Sequence, residues 1–146
     1  GGAIIKAQKR LITDDPFLIV NGDTFFPIDV KLLVSQLRTT KADVSIALFR
    51  AQEAQRYGLT ELDDTNIKSL GEGFANIGDL ANGGIFAISK PIPEIHEQND
   101  GANSFEKDVL SPMLKQGSKI TGLPFGEEFI DIGTPVDYFR FSQTFK

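Results

Sequence analysis

The run Phe17-Leu-Ile-Val-Asn-Gly-Asp23 constrains this chain more than any other feature, because a continuous apolar stretch stops abruptly at Asn-Gly-Asp. Such a stretch reads as a fully buried strand over Phe17 to Val20, with a carboxylate presented just past its end. Asp131 has a similar setting in Phe129-Ile-Asp-Ile-Gly-Thr134, where an apolar strand gives way to a Gly-Thr-Pro helix start. Carboxylates at the ends of strands far apart in sequence can converge in an α/β sheet, whose ligand crevice lies outside the carboxyl ends of its strands. A converging pair of carboxylates suits a hard divalent cation.

The surrounding pattern supports an α/β arrangement. Ala3 to Leu11 reads as a short helix entered through Gly1-Gly2. Asp29 caps a helix whose apolar positions Val30, Leu33, Val34 and Leu37 share one face. Val44, Ile46 and Leu48 then alternate with Ser45 and Ala47 as a strand, so strand, helix and strand form a parallel βαβ unit. Short strands follow over Gly58 to Leu62, Asn66 to Leu70 and Gly83 to Ile88, with a hairpin tip at Asp63-Asp64-Thr65-Asn66. Asn103 and Glu106 have the spacing of a capping box before a helix through Val109, Leu110, Met113 and Leu114. Strands are expected again over Ile120 to Phe125 and Glu128 to Ile132, and a last helix has Thr134 as cap, Pro135 at its first position and Asp137 as the reciprocal acid.

At 146 residues and 40% hydrophobic content, the chain has material for one core. Its net charge of −5 (15 basic, 20 acidic) and its lack of a basic stripe argue against polymeric nucleic acid as a partner. Cysteine is absent, which excludes disulfides and thiolate metal sites. No apolar run approaches the roughly 18 residues that would cross a bilayer, and the opening residues lack a signal-peptide pattern. The expectation is a single cytoplasmic domain with no membrane partner.

Each singled-out residue also has a plain structural explanation. Asn-Gly-Asp builds turns for backbone reasons, and an acid near a helix start satisfies amides and the macrodipole. His96, the only histidine, lies in a polar Glu-Ile-His-Glu-Gln stretch and reads as an exposed helix end. The 12 phenylalanines read mainly as core, although Phe25-Phe26 after Asp23 could line a base or sugar pocket. Gly71-Glu-Gly73 does not match a dinucleotide-binding glycine pattern. Around the two aspartates, however, Tyr57-Gly58, Glu72 and Asn82-Gly83-Gly84 punctuate the middle section where backbone or short polar side chains could approach a sugar.

In order, Gly1-Gly-Ala-Ile, Phe17-Leu-Ile-Val-Asn-Gly-Asp23, Tyr57-Gly58-Leu-Thr-Glu-Leu-Asp-Asp64, Asn82-Gly-Gly-Ile-Phe86 and Phe129-Ile-Asp-Ile-Gly-Thr-Pro-Val-Asp-Tyr138 resemble the sugar-phosphate nucleotidyltransferases over almost the whole chain. Asn82-Gly-Gly-Ile-Phe, Ser104-Phe-Glu-Lys-Asp108 and the Ile-Asp-Ile-Gly-Thr-Pro ending look most like the heptose-1-phosphate guanylyltransferase branch. The resemblance implies a Rossmann-like three-layer α/β/α sheet of the nucleotide-diphospho-sugar transferase type. Residues 1–146 would be the carboxyl-terminal portion of a single domain, truncated at its amino terminus so that it begins after the family's phosphate-binding glycine loop with its Arg and Lys. It further implies that Asp23 and Asp131 are catalytic and hold Mg²⁺. Gly58, Asn82 and Glu72 would face the sugar, and Gly2, Gly22, Tyr57, Gly83 and Thr134 would complete the substrate contacts. The sequence departs at Gly73, where the family carries a Lys, and Lys68 is a poor substitute by position.

The implied reaction joins a nucleoside triphosphate, GTP in the first instance, to a sugar 1-phosphate and releases pyrophosphate, as in nucleotide-sugar supply for lipopolysaccharide or capsule. A sugar phosphate with a second pKa of about 6 needs little help from a base. The obstacle is charge, since both reactants are anions, and a missing Arg or Lys could cost several kcal/mol of barrier. This segment alone is therefore expected to be a weak catalyst. Mannose or glucose 1-phosphate with another base stays open as an alternative, as does a non-catalytic nucleotide-sugar-binding module of the same fold. If the first strands are missing, the sheet has an open edge, and the chain would form a homo-oligomer or pair with another segment through it.

Overall fold

The computed structural model describes residues 16–89 and 104–144, together with positions 4 and 7. In chain order the elements are β1 (Phe17–Val20), β2 (Thr24–Phe25), α1 (Val30–Thr40), β3 (Val44–Arg50), β4 (Gly58–Asp63), β5 (Asn66–Phe74) and β6 (Leu80–Ile88). A π-helical turn (Glu106–Leu110) then runs into α2 (Ser111–Lys115), followed by β7 (Ile120–Pro124), β8 (Ile130–Asp131) and α3 (Pro135–Thr144). Six strands form one sheet in the order β1-β6-β3-β7-β5-β4, while β2 and β8 make a separate two-stranded ladder. The sheet is mixed: β3 runs parallel to β7 and antiparallel to β6. Because β1 is also antiparallel to β6, β1 and β3 are parallel, as the βαβ pattern requires, with β6 inserted between them.

The centre of the sheet is covered on both faces. From Val44 to Phe49 every residue of β3 is buried, with Val44, Ile46 and Leu48 in one core cluster and Ala47 and Phe49 in the other. The first cluster takes Val109, Leu110 and Met113 from the 106–115 helical segment, and the second takes Leu33 and Leu37 from α1. These are the three layers expected from the resemblance. Helix α1 begins where expected, with Asp29 Oδ1 accepting from Lys31 N at 3.0 Å, and it ends at Lys41 in a left-handed conformation (φ 54°). Leu33 and Leu37 are completely enclosed, which at about 1.5–3 kcal/mol for each buried side chain outweighs the helix's modest local propensity. The polar Ser45 is tolerated in the core because its hydroxyl donates to Gln36 Oε1 at 2.6 Å, while Gln36 Nε2 donates to the Gly122 carbonyl at 3.1 Å.

Several sequence expectations change in three dimensions. β1 is not fully buried: Phe17 and Ile19 pack on the first core cluster, but Leu18 and Val20, on the opposite face, are 40% and 57% exposed, since the second cluster does not extend to this edge strand of the described sheet. The strand expected over Glu128 to Ile132 shrinks to Ile130–Asp131 and pairs with Thr24–Phe25 outside the main sheet. The capping box shifts as well. Lys107 N donates to Ser104 Oγ (3.3 Å) and Ser104 N to Asp108 Oδ2 (2.6 Å), so the cap is Ser104 in place of Asn103 and the reciprocal acid is Asp108 in place of Glu106, a wider spacing in keeping with the π turn. The hairpin tip forms as read, with Asp63 opposite Asn66 and Asp64 at φ 54°, and Lys68 pairs there with Asp63 at 3.3 Å. Of the helix expected over residues 3–11, positions 4 and 7 are helical and Ile4 packs on the first core cluster. The rest of that segment, and with it Gly2, lies outside the described residues, as do His96 and Asn103.

Candidate functional site

The β2–β8 ladder brings the two aspartate segments together. Asp131 lies opposite Thr24, the residue after Asp23, and Ile132 N donates to the Asp23 carbonyl at 2.9 Å. Asp23 is exposed, and its carboxylate has no hydrogen-bond or ion-pair partner among the described residues. Asp131 is partly enclosed: Oδ1 accepts from Gly133 N at 2.9 Å, and Oδ2 lies 3.3 Å from Arg56 Nη2. No group of three His, Cys, Asp or Glu side chains suited to a metal forms among the described residues. Two carboxylates on adjoining rungs nevertheless fit Mg²⁺, which takes one or two carboxylates and fills its shell with water and substrate phosphate oxygens.

Arg56 is the residue that sequence reasoning missed. It leads into Tyr57-Gly58 and reaches across to both ends of the Asp131–α3 segment. Beyond Asp131, its guanidinium pairs with Asp137 through both terminal nitrogens and with Glu53 Oε1 at 3.0 Å. Asp137 comes from the first turn of α3, where Thr134 caps as expected: Asp137 N donates to Thr134 Oγ1 (3.2 Å), whose hydroxyl donates to Asp137 Oδ2 (2.6 Å). Thr134, expected at the substrate, is thus engaged in holding the helix start. The hydrogen bond from Arg56, and then the one from Thr134, hold the Asp137 carboxyl below the usual aspartate range. The Asp137 hydrogen bond likewise raises the guanidinium above its ordinary value. Burial pushes the Tyr57 phenol up, against the opposing charge of Arg56. The Tyr57 ring lies under that guanidinium (5.2 Å from the ring centroid) and edge-on to Phe49 and Phe129, which stack on each other at 3.8 Å. Arg56, Tyr57, Asp131 and Asp137 line one recess.

A second polar group forms around Asn82. Its Oδ1 accepts from Gly84 N at 2.9 Å, and its Nδ2 donates to Glu106 Oε1. The nearby glycines have packing reasons of their own. A β-carbon on Gly58 would come within 2.9 Å of Gly71 Cα, so the close approach of β4 and β5 requires glycine there. One on Gly83 would stand 2.5 Å from Phe26 Cε1. Phe26 therefore belongs to the core, edge-on to Phe49, Phe125 and Phe129, and Phe25 packs on Phe141. Gly22 stands in an exposed turn with open space around it. Glu72 is exposed on β5, and no hydrogen bond or ion pair joins it to Asn82 among the described residues.

A nucleotidyl transferase family model matches residues 1–146. The chain is 35% identical over 139 residues to D-glycero-alpha-D-manno-heptose 1-phosphate guanylyltransferase of Aneurinibacillus thermoaerophilus, a match covering 94% of this chain and 59% of that protein. It is 31% identical over 144 residues to the enzyme of the same name from Campylobacter jejuni, covering 96% and 60%. Among solved structures, HddC from Yersinia pseudotuberculosis matches with a TM-score of 0.76 at 30% identity, covering 99% of this chain and 61% of that one. The same protein complexed with GMP-PN matches at 0.73 and 28% identity. The chain thus spans 59–60% of the length of these curated relatives.

Proposed function

This chain belongs to the nucleotidyl transferase family, and from that membership we propose that the protein it represents transfers a guanylyl group from GTP to a heptose 1-phosphate, with Mg²⁺, in the cytoplasm. Residues 1–146 are read as the carboxyl-terminal portion of one transferase domain. The observation that carries the reading is the β2–β8 ladder, which joins the Asp23 and Asp131 segments in a chain that matches two heptose 1-phosphate guanylyltransferases at 35% and 31% identity.

In this reaction an oxygen of the sugar phosphate forms a bond to the α-phosphorus of GTP. The bond from that phosphorus to the bridging oxygen breaks, and its electron pair leaves with pyrophosphate. A divalent ion held by Asp23 and Asp131 would supply positive charge where the reacting phosphates meet. The chain's own contribution is alignment: Asn82 and Glu72 would bind sugar hydroxyls, while Tyr57, Gly58, Gly22 and Gly83 would shape the pocket. Arg56 braces Asp131 by pairing with it and with Asp137. Gly73 leaves this stretch without the cation that the family carries, so charge at the sugar phosphate has to come from elsewhere in the full-length protein.

Pyrophosphate release by the full-length protein tests the reading. GTP with D-glycero-D-manno-heptose 1-phosphate should give a higher kcat/KM than pairs containing mannose or glucose 1-phosphate, or ATP, UTP, CTP or dTTP. A different best pair would reassign the specificity, and no release with any pair would leave the binding-module alternative.

A further inference from the structure

Glu106 has no part in the cap that opens its own helical segment, since Ser104 and Asp108 supply both halves of it. Nor does packing of the segment depend on it: Phe105 lies edge-on to Phe86 at 5.0 Å, and Val109 and Leu110 are buried in the core. What Glu106 does instead is accept a hydrogen bond from Asn82 Nδ2 across 24 residues of sequence. With Asn82 Oδ1 taken by Gly84 N at 2.9 Å, the amide is held at both ends and cannot flip. An amide so held keeps one N–H and one carbonyl lone pair for other partners, in fixed directions.

Glu106 also retains an oxygen of its own. Oε2 stands 3.5 Å from where a β-carbon on Gly71 would sit, and Gly71, at φ 71°, leaves that place empty beside the close β4–β5 contact. One amide donor, one amide acceptor and one anionic acceptor therefore share a small, half-buried patch. A sugar hydroxyl both donates and accepts, and adjacent hydroxyls present these functions a few ångströms apart, so the patch matches a polyol.

We propose that Glu106 is a positioning and specificity-determining residue for the sugar: it fixes the Asn82 amide and accepts a hydrogen bond from a neighbouring hydroxyl. The assignment rests on the sugar 1-phosphate reading above, and it gives Glu106 the anchored place that Glu72, exposed on β5, does not have.

The test uses full-length protein carrying Glu106→Ala or Glu106→Gln, with heptose 1-phosphate and GTP varied in turn. Removing both acceptors in Glu106→Ala should raise the KM for sugar 1-phosphate about tenfold or more. The KM for GTP should stay within about twofold and kcat within about threefold, a split that general loss of folding does not produce. Glu106→Gln keeps an oxygen for Asn82 but loses the charge and turns the second acceptor into an amide donor, so its sugar KM should lie between wild type and Glu106→Ala. Calorimetric titration of sugar 1-phosphate provides the same comparison as a binding constant, without turnover. A wild-type sugar KM or binding constant in Glu106→Ala overturns the assignment and leaves the transferase reading standing, as does a lower melting temperature with unchanged sugar affinity. Wild-type protein that neither releases pyrophosphate nor binds any sugar 1-phosphate overturns the transferase reading, and this assignment with it.

Discussion

Arg56 gathers three carboxylates, and the consequences are unequal. Asp137 is bound through both guanidinium nitrogens, whereas Asp131 is touched at 3.3 Å and also accepts from Gly133 N. An Asp held below its ordinary value of about 3.9 stabilises the fold fully above that pH, and the contribution is lost as pH falls through the lower folded value. Arg56→Gln should therefore flatten the acid limb: on acidification below about pH 4 the wild-type melting temperature should fall more steeply than the variant's. Carboxyl NMR titration of Asp137 should return toward the ordinary range in Arg56→Gln, and an unchanged titration would refute the pairing. For the metal, Asp23→Asn and Asp131→Asn should each weaken Mn²⁺ binding to the full-length protein, measured by electron paramagnetic resonance. Unchanged affinity in both would dissolve the shared site. The two aspartates were legible because an apolar run ending in an acid is a local pattern. Arg56 was not, because its carboxylate partners at Asp131 and Asp137 arrive 75 and 81 residues later, and an Arg before Tyr-Gly looks like any surface cation.

At the scale of elements, two glycine and cap positions carry measurable weight. Gly83→Ala drives a methyl into the Phe26 ring, and overpacking of this kind costs about 1–3 kcal/mol, to be read by urea denaturation. Thr134→Ala removes the α3 cap and should cost about 1 kcal/mol by the same measurement. A neutral result at Gly83 would mean that Phe26 has room to move aside. Helix α1, strand β3 and the 63–66 hairpin could be read in advance, since each is specified by its own periodicity, cap or turn residues. The exposure of β1 and the departure of β8 from the sheet could not, because strand order is decided by pairings between distant segments. The move of the reciprocal acid from Glu106 to Asp108 likewise follows from a π turn, which leaves no clear sequence signature.

Across the whole molecule, exposed large apolar side chains among the described residues lie on the edge strand β1 and on α3, with Leu32, Phe74 and Ile77 exposed singly elsewhere. Leu18 and Val20 are exposed on β1, and Val136, Tyr138 and Phe139 on α3. An unpaired apolar edge is a template for further pairing, so the 146-residue chain prepared alone should associate at micromolar concentration, and Leu18→Lys with Val20→Lys should shift its light-scattering mass toward the monomer. No change on substitution would place the association elsewhere. Gln36, half-buried on α1, has a different reach, since its amide reads the side chain of Ser45 on β3 and the backbone of Gly122 on β7 at once. If either strand slid by one residue, a hydrocarbon would replace the hydroxyl or the carbonyl would turn away, and the amide would lose a partner that the sheet side of α1 cannot replace. Gln36 thus works as a vernier: compact states with the wrong alignment of the two central strands are penalised relative to the native one.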